Sequence, residues 1–171
     1  MTTTHVTWGQ SRVKLTWTAT KTLPQHELIT SVHGLCFHDN QLLLVDIKNR
    51  GWHFPGGHIE KNESPVECFK REVMEEGCVE GDCSYLGFVE VDHSENPNWI
   101  SDSPYPKIGY QVLYRMDITK ILPFKAIFES AQRMFIEQSK AAHYCKDWHE
   151  VYDDILMNAL LEGTKSDKEE C

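Results

Sequence analysis

The stretch FPGGHIEKNESPVECFKREVMEEGCVEG, residues 54–81, joins a glycine-rich turn to a short acidic helix. Ser64 is a good N-cap and Pro65 suits the first helical position. Glu67 lies three residues after Ser64, as a capping box requires. These signals predict a helix that begins at Pro65 and is stopped by Gly77.

Three carboxylates lie near the end of this predicted helix, where the helix dipole disfavours them. Glu72, Glu75 and Glu76 are spaced i, i+3 and i+4, so they share an arc of roughly 100° and repel one another. A bound cation would remove both costs, and carboxylate oxygens are the ligands that Mg²⁺ and Mn²⁺ prefer. The spacing therefore predicts a divalent-metal site, although a solvated acidic helix face has the same pattern.

A neighbouring stripe of the helix, formed by Val66, Phe69 and Val73, is apolar and predicts packing against a sheet. Strands are predicted where apolar residues alternate or run together: 13–20, 28–37, 41–47, 83–91, 108–118 and 132–136. Residues 28–47 form a hairpin in this interpretation, and residues 48–58 break regular structure. A second helix is predicted over residues 147–163, with Gly163 as its end.

Strands on both sides of a central helix, with another helix at the end, favour an α/β fold in which helices cover both faces of a mixed sheet. The length of 171 residues suits one domain over residues 1–171. Residues 1–22 are interpreted as an N-terminal strand extension, and residues 164–171 as a flexible tail.

Composition narrows the function classes. The net charge of −9 argues against general attraction to a nucleic-acid backbone, so a phosphorylated ligand would need bridging cations. The six cysteines form no C-x-x-C pair, which favours reduced thiols. With no secretory signal pattern and no long apolar run, we expect a cytoplasmic protein without a membrane partner.

The spacing of the acidic stretch resembles a known family motif. Gly57, five residues, Glu63, seven residues and then REVMEEGCV are similar to the Nudix box, G-x5-E-x7-R-E-U-x-E-E-x-G-U, with U a bulky apolar residue. Cys78 stands where the family has glycine. Because that glycine lies just past the helix, Gly77 is expected to take over its role.

The resemblance to MutT-like Nudix hydrolases implies an α/β/α sandwich and hydrolysis of a nucleoside diphosphate linked to another group. It implies Mg²⁺ or Mn²⁺ held by Glu72, Glu75, Glu76 and the carbonyl of Gly56. One glutamate, or a metal-bound hydroxide, would activate the attacking water.

Three further residues have roles implied by the resemblance. Glu63 is expected to orient the loop and Arg71 rather than bind metal. Glu129 lies in a loop before a later strand, where some members carry another acidic site residue.

Substrate contacts lie outside the box. Trp52, Trp99 and Tyr105 are candidates to stack on a base, and Arg50 to contact phosphate, with loop-packing aromatics as the alternative. The expected substrate is a nucleoside triphosphate, with oxidised forms included. The alternatives are the 5′ end of RNA and an inactive nucleotide-binding module; the sequence leaves the oligomeric state open.

Overall fold

The structure is a computed structural model that describes residues 1–169. In this part of the chain there are nine strands: β1 (Thr2–Trp8), β2 (Ser11–Ala19), β3 (Ile29–His38), β4 (Gln41–Ile47), β5 (Gly51–His53), β6 (Gly56–Gly57), β7 (Val79–Asp92), β8 (Ile108–Ile121) and β9 (Ser130–Glu137). The α-helices of the same residues are α1 (Pro65–Gly77), α2 (Ala141–Tyr144) and α3 (Glu150–Glu169).

All of these strands belong to one mixed sheet, in the order β1-β2-β7-β8-β3-β4-β5. The short β6 pairs with β3, and β9 pairs with β4. At the centre, β3 and β8 run parallel, whereas the other pairs are antiparallel. The β6 strand therefore brings the glycine-rich turn to the middle of the sheet.

The sheet carries a separate apolar core on each face. Along β4, Leu42 and Leu44 face the core that includes α3, whereas Leu43 and Val45 face the core that includes α1. This alternation follows from the period of two in a strand, with both faces covered. The predicted α/β/α sandwich is confirmed.

The α1 helix begins as predicted, because Ser64 and Glu67 form a reciprocal capping box. Its end differs from the prediction. Gly77 belongs to the helix, and Cys78 is the C-cap, with the left-handed angles φ 54° and ψ 46°. The expectation that Gly77 ends the helix is wrong, since a left-handed residue still closes α1 at the position of the family glycine.

Three other elements differ from the sequence patterns. The N-terminal extension is a hairpin, in which β1 pairs with β2 through a turn at Gly9. The irregular residues 48–58 contain β5 and β6. The mostly polar β1 and the very short β6 carry too little apolar periodicity to be predicted.

The second long helix also differs, because α3 continues past Gly163. A Cβ on Gly163 would lie 2.5 Å from Cζ of Arg115, so this glycine makes room for an arginine rather than stopping a helix. Residues 164–169 belong to α3, and Glu170 and Cys171, the rest of the predicted tail, lie outside the described residues. None of the helices described is long and apolar enough to cross a membrane.

Candidate active site

The last turn of α1 buries a carboxylate. Glu76 is only 5% exposed, and its Oε2 accepts a hydrogen bond of 3.0 Å from the backbone N–H of Gly56. Burial raises the pKa of Glu76 to about 8, and the negative charges of Glu72 and Glu129 add to the shift. A carboxylate with this environment gains strongly from a nearby cation.

The glycine-rich strand β6 lies directly against this end of α1. A Cβ on Gly57 would stand 2.3 Å from Oε1 of Glu72, so only glycine lets that carboxylate reach the strand. Burial raises the pKa of Glu72, while its hydrogen bond from Arg71 acts in the opposite direction. The motif glycine thus shapes the acidic site by leaving space.

Arg71 links the carboxylates to the preceding loop. Its Nε donates to Oε1 of Glu63 at 2.6 Å, and its Nη2 donates to Oε2 of Glu63 at 3.1 Å and to the carbonyl of His58 at 3.1 Å. Its Nη1 donates to Glu72 at 2.8 Å and, more weakly, to Glu75 at 3.5 Å. The Arg71 hydrogen bond lowers the pKa of Glu63, so this pair is charged and fixed.

Glu129 approaches the same carboxylates from another element. It immediately precedes β9, in the loop position expected from the sequence. The neighbouring Ser130 is fully buried and its Oγ donates to the carbonyl of Glu76 at 2.7 Å, which joins β9 to the end of α1. The Glu129 charge raises the pKa of both Glu72 and Glu76.

The candidate ligand atoms of this site are all carboxylate or carbonyl oxygens, which suit a hard divalent cation. Glu76 is buried with one hydrogen-bond donor, and the other acids add charge that Arg71 balances only in part. Among the described residues, no three His, Cys, Asp or Glu side chains form a ready ligand cluster, and Arg71 holds Glu72 and Glu75 instead.

The candidate substrate contacts fall into two groups. Trp52 is partly buried and packs against the core on the α3 face, whereas Trp99 and Tyr105 belong to the loop between β7 and β8. Trp99 Nε1 donates to the carbonyl of Tyr105 at 3.3 Å, so Trp99 stabilises its own loop. The Tyr105 ring lies 6.0 Å from the ring of His58, which brings it to the glycine-rich turn.

Arg50 lies within electrostatic reach of the buried acid, because its charge lowers the pKa of Glu76. It also acts on His33, a residue that the sequence patterns did not predict. Burial, with the nearby charges of His58, His53 and Arg50, lowers the pKa of His33 to about 4. A histidine within the apolar run SVHGLCF was the available signal.

The chain is similar in sequence or fold to known proteins. A family model described as NUDIX domain matches residues 28–137. Among solved structures, a mutant of the Bacillus subtilis pyrophosphohydrolase BsRppH is similar over 95% of this chain and 98% of its own, with 21% identity and a TM-score of 0.70. No curated protein sequence matched significantly.

Two further structures share the fold over a smaller part of the chain. A NUDIX hydrolase from Nitrosomonas europaea is similar over 78% of this chain and 90% of its own, with 17% identity and a TM-score of 0.57. The NUDIX domain of Shewanella oneidensis NrtR, solved with ADP ribose, is similar over 78% of this chain and 87% of its own, with 17% identity and a TM-score of 0.52.

Proposed function

Since the chain belongs to the Nudix family, and is thereby a hydrolase of phosphoric anhydride bonds, we propose that it is a divalent-metal-dependent pyrophosphohydrolase of a nucleoside triphosphate. Oxidised triphosphates are included in this substrate class. The buried Glu76, with Glu72 and Glu129 acting on it from two other positions, is the observation that carries the proposal.

Mg²⁺ or Mn²⁺ would supply charge neutralisation of the pyrophosphate and a lowered pKa for the attacking water. Glu72, Glu75, Glu76 and the Gly56 carbonyl would hold the ion. Glu129 is the proposed proton acceptor for the attacking water. Its side chain is exposed, and it directly precedes β9, whereas the other acids lie on α1.

Arg71 has enough hydrogen-bond partners to stay in place without its bonds to two of these carboxylates, Glu72 and Glu75. It holds Glu63 at 2.6 Å and Glu75 only at 3.5 Å. If Glu72 and Glu75 were to hold a cation, Arg71 would keep its bonds to Glu63 and to the His58 carbonyl. Glu63 therefore acts as a positioning residue that retains the arginine and the loop.

For the substrate itself, Arg50 and Tyr105 are the proposed contacts to the phosphates and to the outer part of the nucleotide. Arg50 affects the pKa of Glu76, and Tyr105 lies beside His58 at the glycine-rich turn. Trp99 is proposed to support Tyr105, to which it is hydrogen-bonded.

The 5′ end of RNA is the second candidate substrate. It is favoured by the similarity to the B. subtilis pyrophosphohydrolase, which extends over 95% of this chain. The net charge of −9 weighs against a long polyanionic partner. An inactive binding module is less well supported, because Cys78 keeps the left-handed helix end and Glu76 keeps its place.

A cytoplasmic location is part of the proposal. The cysteines of the described residues, namely Cys36, Cys68, Cys78, Cys83 and Cys145, are all free thiols. Unpaired thiols are typical of a reducing compartment.

Product analysis on a substrate panel tests the function. The protein is incubated with canonical and oxidised nucleoside triphosphates, ADP-ribose, a dinucleoside polyphosphate and a 5′-triphosphate RNA, each with Mg²⁺, with Mn²⁺ and with a chelator. We expect turnover of free triphosphates that the chelator abolishes and that Glu76→Gln reduces on the order of 10²- to 10⁴-fold.

The panel separates the candidates. Faster hydrolysis of 5′-triphosphate RNA than of free nucleotides would make the 5′ end of RNA, rather than a free triphosphate, the favoured substrate. Nucleotide binding without turnover in either metal would support the inactive module and overturn the hydrolase.

A further inference from the structure

The strand β9 is bulged close to its first residue. Gln132 pairs with Asp46 in β4. The next residue of β4, Ile47, pairs with Ser130 rather than with Ala131. Ala131 is therefore an extra residue in the strand, and a β-bulge of this kind bends the strand and redirects a side chain.

The bulge brings two polar side chains of β9 to the same face of the sheet. Ser130 and Arg133 are three positions apart, so in a regular strand their side chains would point to opposite faces. Both instead donate hydrogen bonds to the end of α1. The extra residue Ala131 explains this, because it shifts the alternation of the strand by one position.

These two side chains bind three consecutive carbonyls at the end of α1. The Ser130 Oγ donates to the carbonyl of Glu76 at 2.7 Å. The Nη1 of Arg133 donates to the carbonyls of Gly77 at 2.7 Å and of Cys78 at 3.2 Å. Since the last carbonyls of a helix have no partner within the helix, these bonds fix the helix end.

Arg133 also holds the loop that follows β8. Its Nη2 donates to the carbonyl of Leu122 at 2.8 Å, and its guanidinium lies 5.5 Å from the Phe124 ring and 5.9 Å from the Phe135 ring. A cation at the C-terminal end of a helix is favourable as well. Arg133 thus joins the end of α1 to the start of the loop that leads to Glu129.

Glu129 stands one residue before the buried Ser130. Its carbonyl accepts a hydrogen bond of 3.1 Å from the backbone N–H of Lys48, and its side chain is exposed. Ser130 is fully buried, and its hydroxyl bonds the residue on α1 that carries the buried carboxylate, Glu76. One side-chain hydrogen bond therefore connects the backbone beside Glu129 to the backbone of Glu76.

We propose that Ser130 is a positioning residue, whose bond to the Glu76 carbonyl sets the place of Glu129 relative to Glu76. The bulge at Ala131 makes this bond possible, and Arg133 holds the helix end against which Ser130 is placed. This inference rests on the proposed function, in which Glu129 accepts the proton of the attacking water. The proton acceptor thus depends on a hydroxyl that has no part of its own in the reaction.

A double-mutant cycle tests the inference on the full chain. The proteins are the wild type, Ser130→Ala, Glu129→Gln, the double variant and the control Ile155→Val. Ile155 is fully buried in the core on the α3 face, so its variant loses packing away from the acids. The values of kcat and KM are measured on the four canonical nucleoside triphosphates with saturating Mn²⁺, and the hydrogen exchange of the Lys48 amide is measured by NMR in chelator.

Ser130→Ala is expected to lower kcat about tenfold and to change KM less than about twofold, because a misplaced reacting group affects the chemical step. In the Glu129→Gln background the same change should alter kcat less than about twofold, since the group that Ser130 positions is gone. The Lys48 amide should exchange about tenfold faster in Ser130→Ala than in Ile155→Val. The control should keep the kcat of the wild type.

Three results would overturn the inference. They are an equal loss of kcat on Ser130→Ala in both backgrounds, the kcat of the wild type in Ser130→Ala, and a Lys48 amide that exchanges no faster than in Ile155→Val. If Glu129→Gln kept the kcat of the wild type, the proposed proton acceptor and this inference would both be wrong. If the wild type hydrolysed no triphosphate, the proposed function would fail, whereas faster Lys48 exchange in Ser130→Ala would still support the placement of Glu129 by Ser130.

Discussion

In both α1 and α3, a glutamate is followed by a glycine that lies against a side chain of the sheet. A Cβ on Gly77 would stand 2.8 Å from Cδ2 of Leu43, and a Cβ on Gly163 would stand 2.5 Å from the guanidinium of Arg115. Each helix therefore approaches the sheet more closely than any other residue would allow.

The glutamates beside these glycines have opposite surroundings. Glu76 is 5% exposed and receives one backbone hydrogen bond. The Glu162 side chain is 24% exposed and forms an ion pair of 2.8 Å with Lys21. The Glu-Gly pair therefore lets α3 pack closely against the sheet. In α1 the same pair also places a buried carboxylate whose charge is only partly compensated. Such a carboxylate indicates a functional site better than the packing glycine does.

The largest expected difference between the two helices is in the pH dependence of stability. The folded-state pKa of Glu76 is raised to about 8, so ionisation costs folding energy and the metal-free protein loses stability as pH rises from about 4.5 to 8. We expect metal-free Glu76→Gln to exceed the wild type in unfolding free energy by a few kcal/mol at pH 8.5, and to match it near pH 4.5. Urea unfolding with a chelator measures both.

Glu162→Gln is the matched control. It removes a partly exposed ion pair and should cost at most about 1 kcal/mol. Adding Mn²⁺ should stabilise the wild type and Glu162→Gln but not Glu76→Gln. If the unfolding free energies of all three proteins depended on pH in the same way in chelator, the proposed contrast between the helices would be wrong.

The glycines themselves provide the second comparison. Gly77→Ala and Gly163→Ala should each lower the unfolding free energy by about 1–2 kcal/mol, because overpacking exceeds the gain in helix propensity. Arg115 cannot swing aside freely, since its Nη1 donates to the carbonyl of Ala159 at 2.7 Å and its guanidinium lies 4.3 Å from the Phe37 ring.

Activity should separate these two variants. Gly77→Ala shifts the adjacent Glu76 and should lower kcat on the order of tenfold to a hundredfold, whereas Gly163→Ala should leave kcat unchanged. Steady-state kinetics beside urea unfolding tests this, and equal kcat values would mean that α1 tolerates the shift.

The smallest effect is expected at Cys78, whose φ of 54° is costly for a residue with a Cβ. Cys78→Gly removes both the strain and a buried side chain, whereas Cys78→Ala removes mainly the thiol. We expect the glycine variant to be about 1 kcal/mol more stable than the alanine variant. A glycine variant no more stable than the alanine variant in the same unfolding assay would mean that the strain is relieved elsewhere.

The sequence predicted the fold class and the start of α1 because both depend on local signals. Ser64 and Glu67 form their capping box within one helical turn, and β4 alternates between two cores. The helix ends were mispredicted because Gly77 and Gly163 are needed for close packing on Leu43 and Arg115, which are distant in the chain.

The site was predictable only where its residues share one motif. The acids of α1 and the pairing of Glu63 with Arg71 lie within the box, so their proximity follows from spacing. His33 lies on β3, which reaches the centre of the sheet through its parallel pairing with β8, and no local pattern specifies that pairing.

That parallel pair also determines when the molecule can assemble during synthesis. The register partners of β3 in β8 begin at Tyr110, and the strand after Glu129 pairs with β4. When the whole of α1 has been synthesised, the nascent chain therefore still lacks β8, which lies at the centre of the sheet, and Glu129. Such long-range pairing folds slowly, so the apolar strands before α1 must stay protected from aggregation until more than three quarters of the chain has emerged.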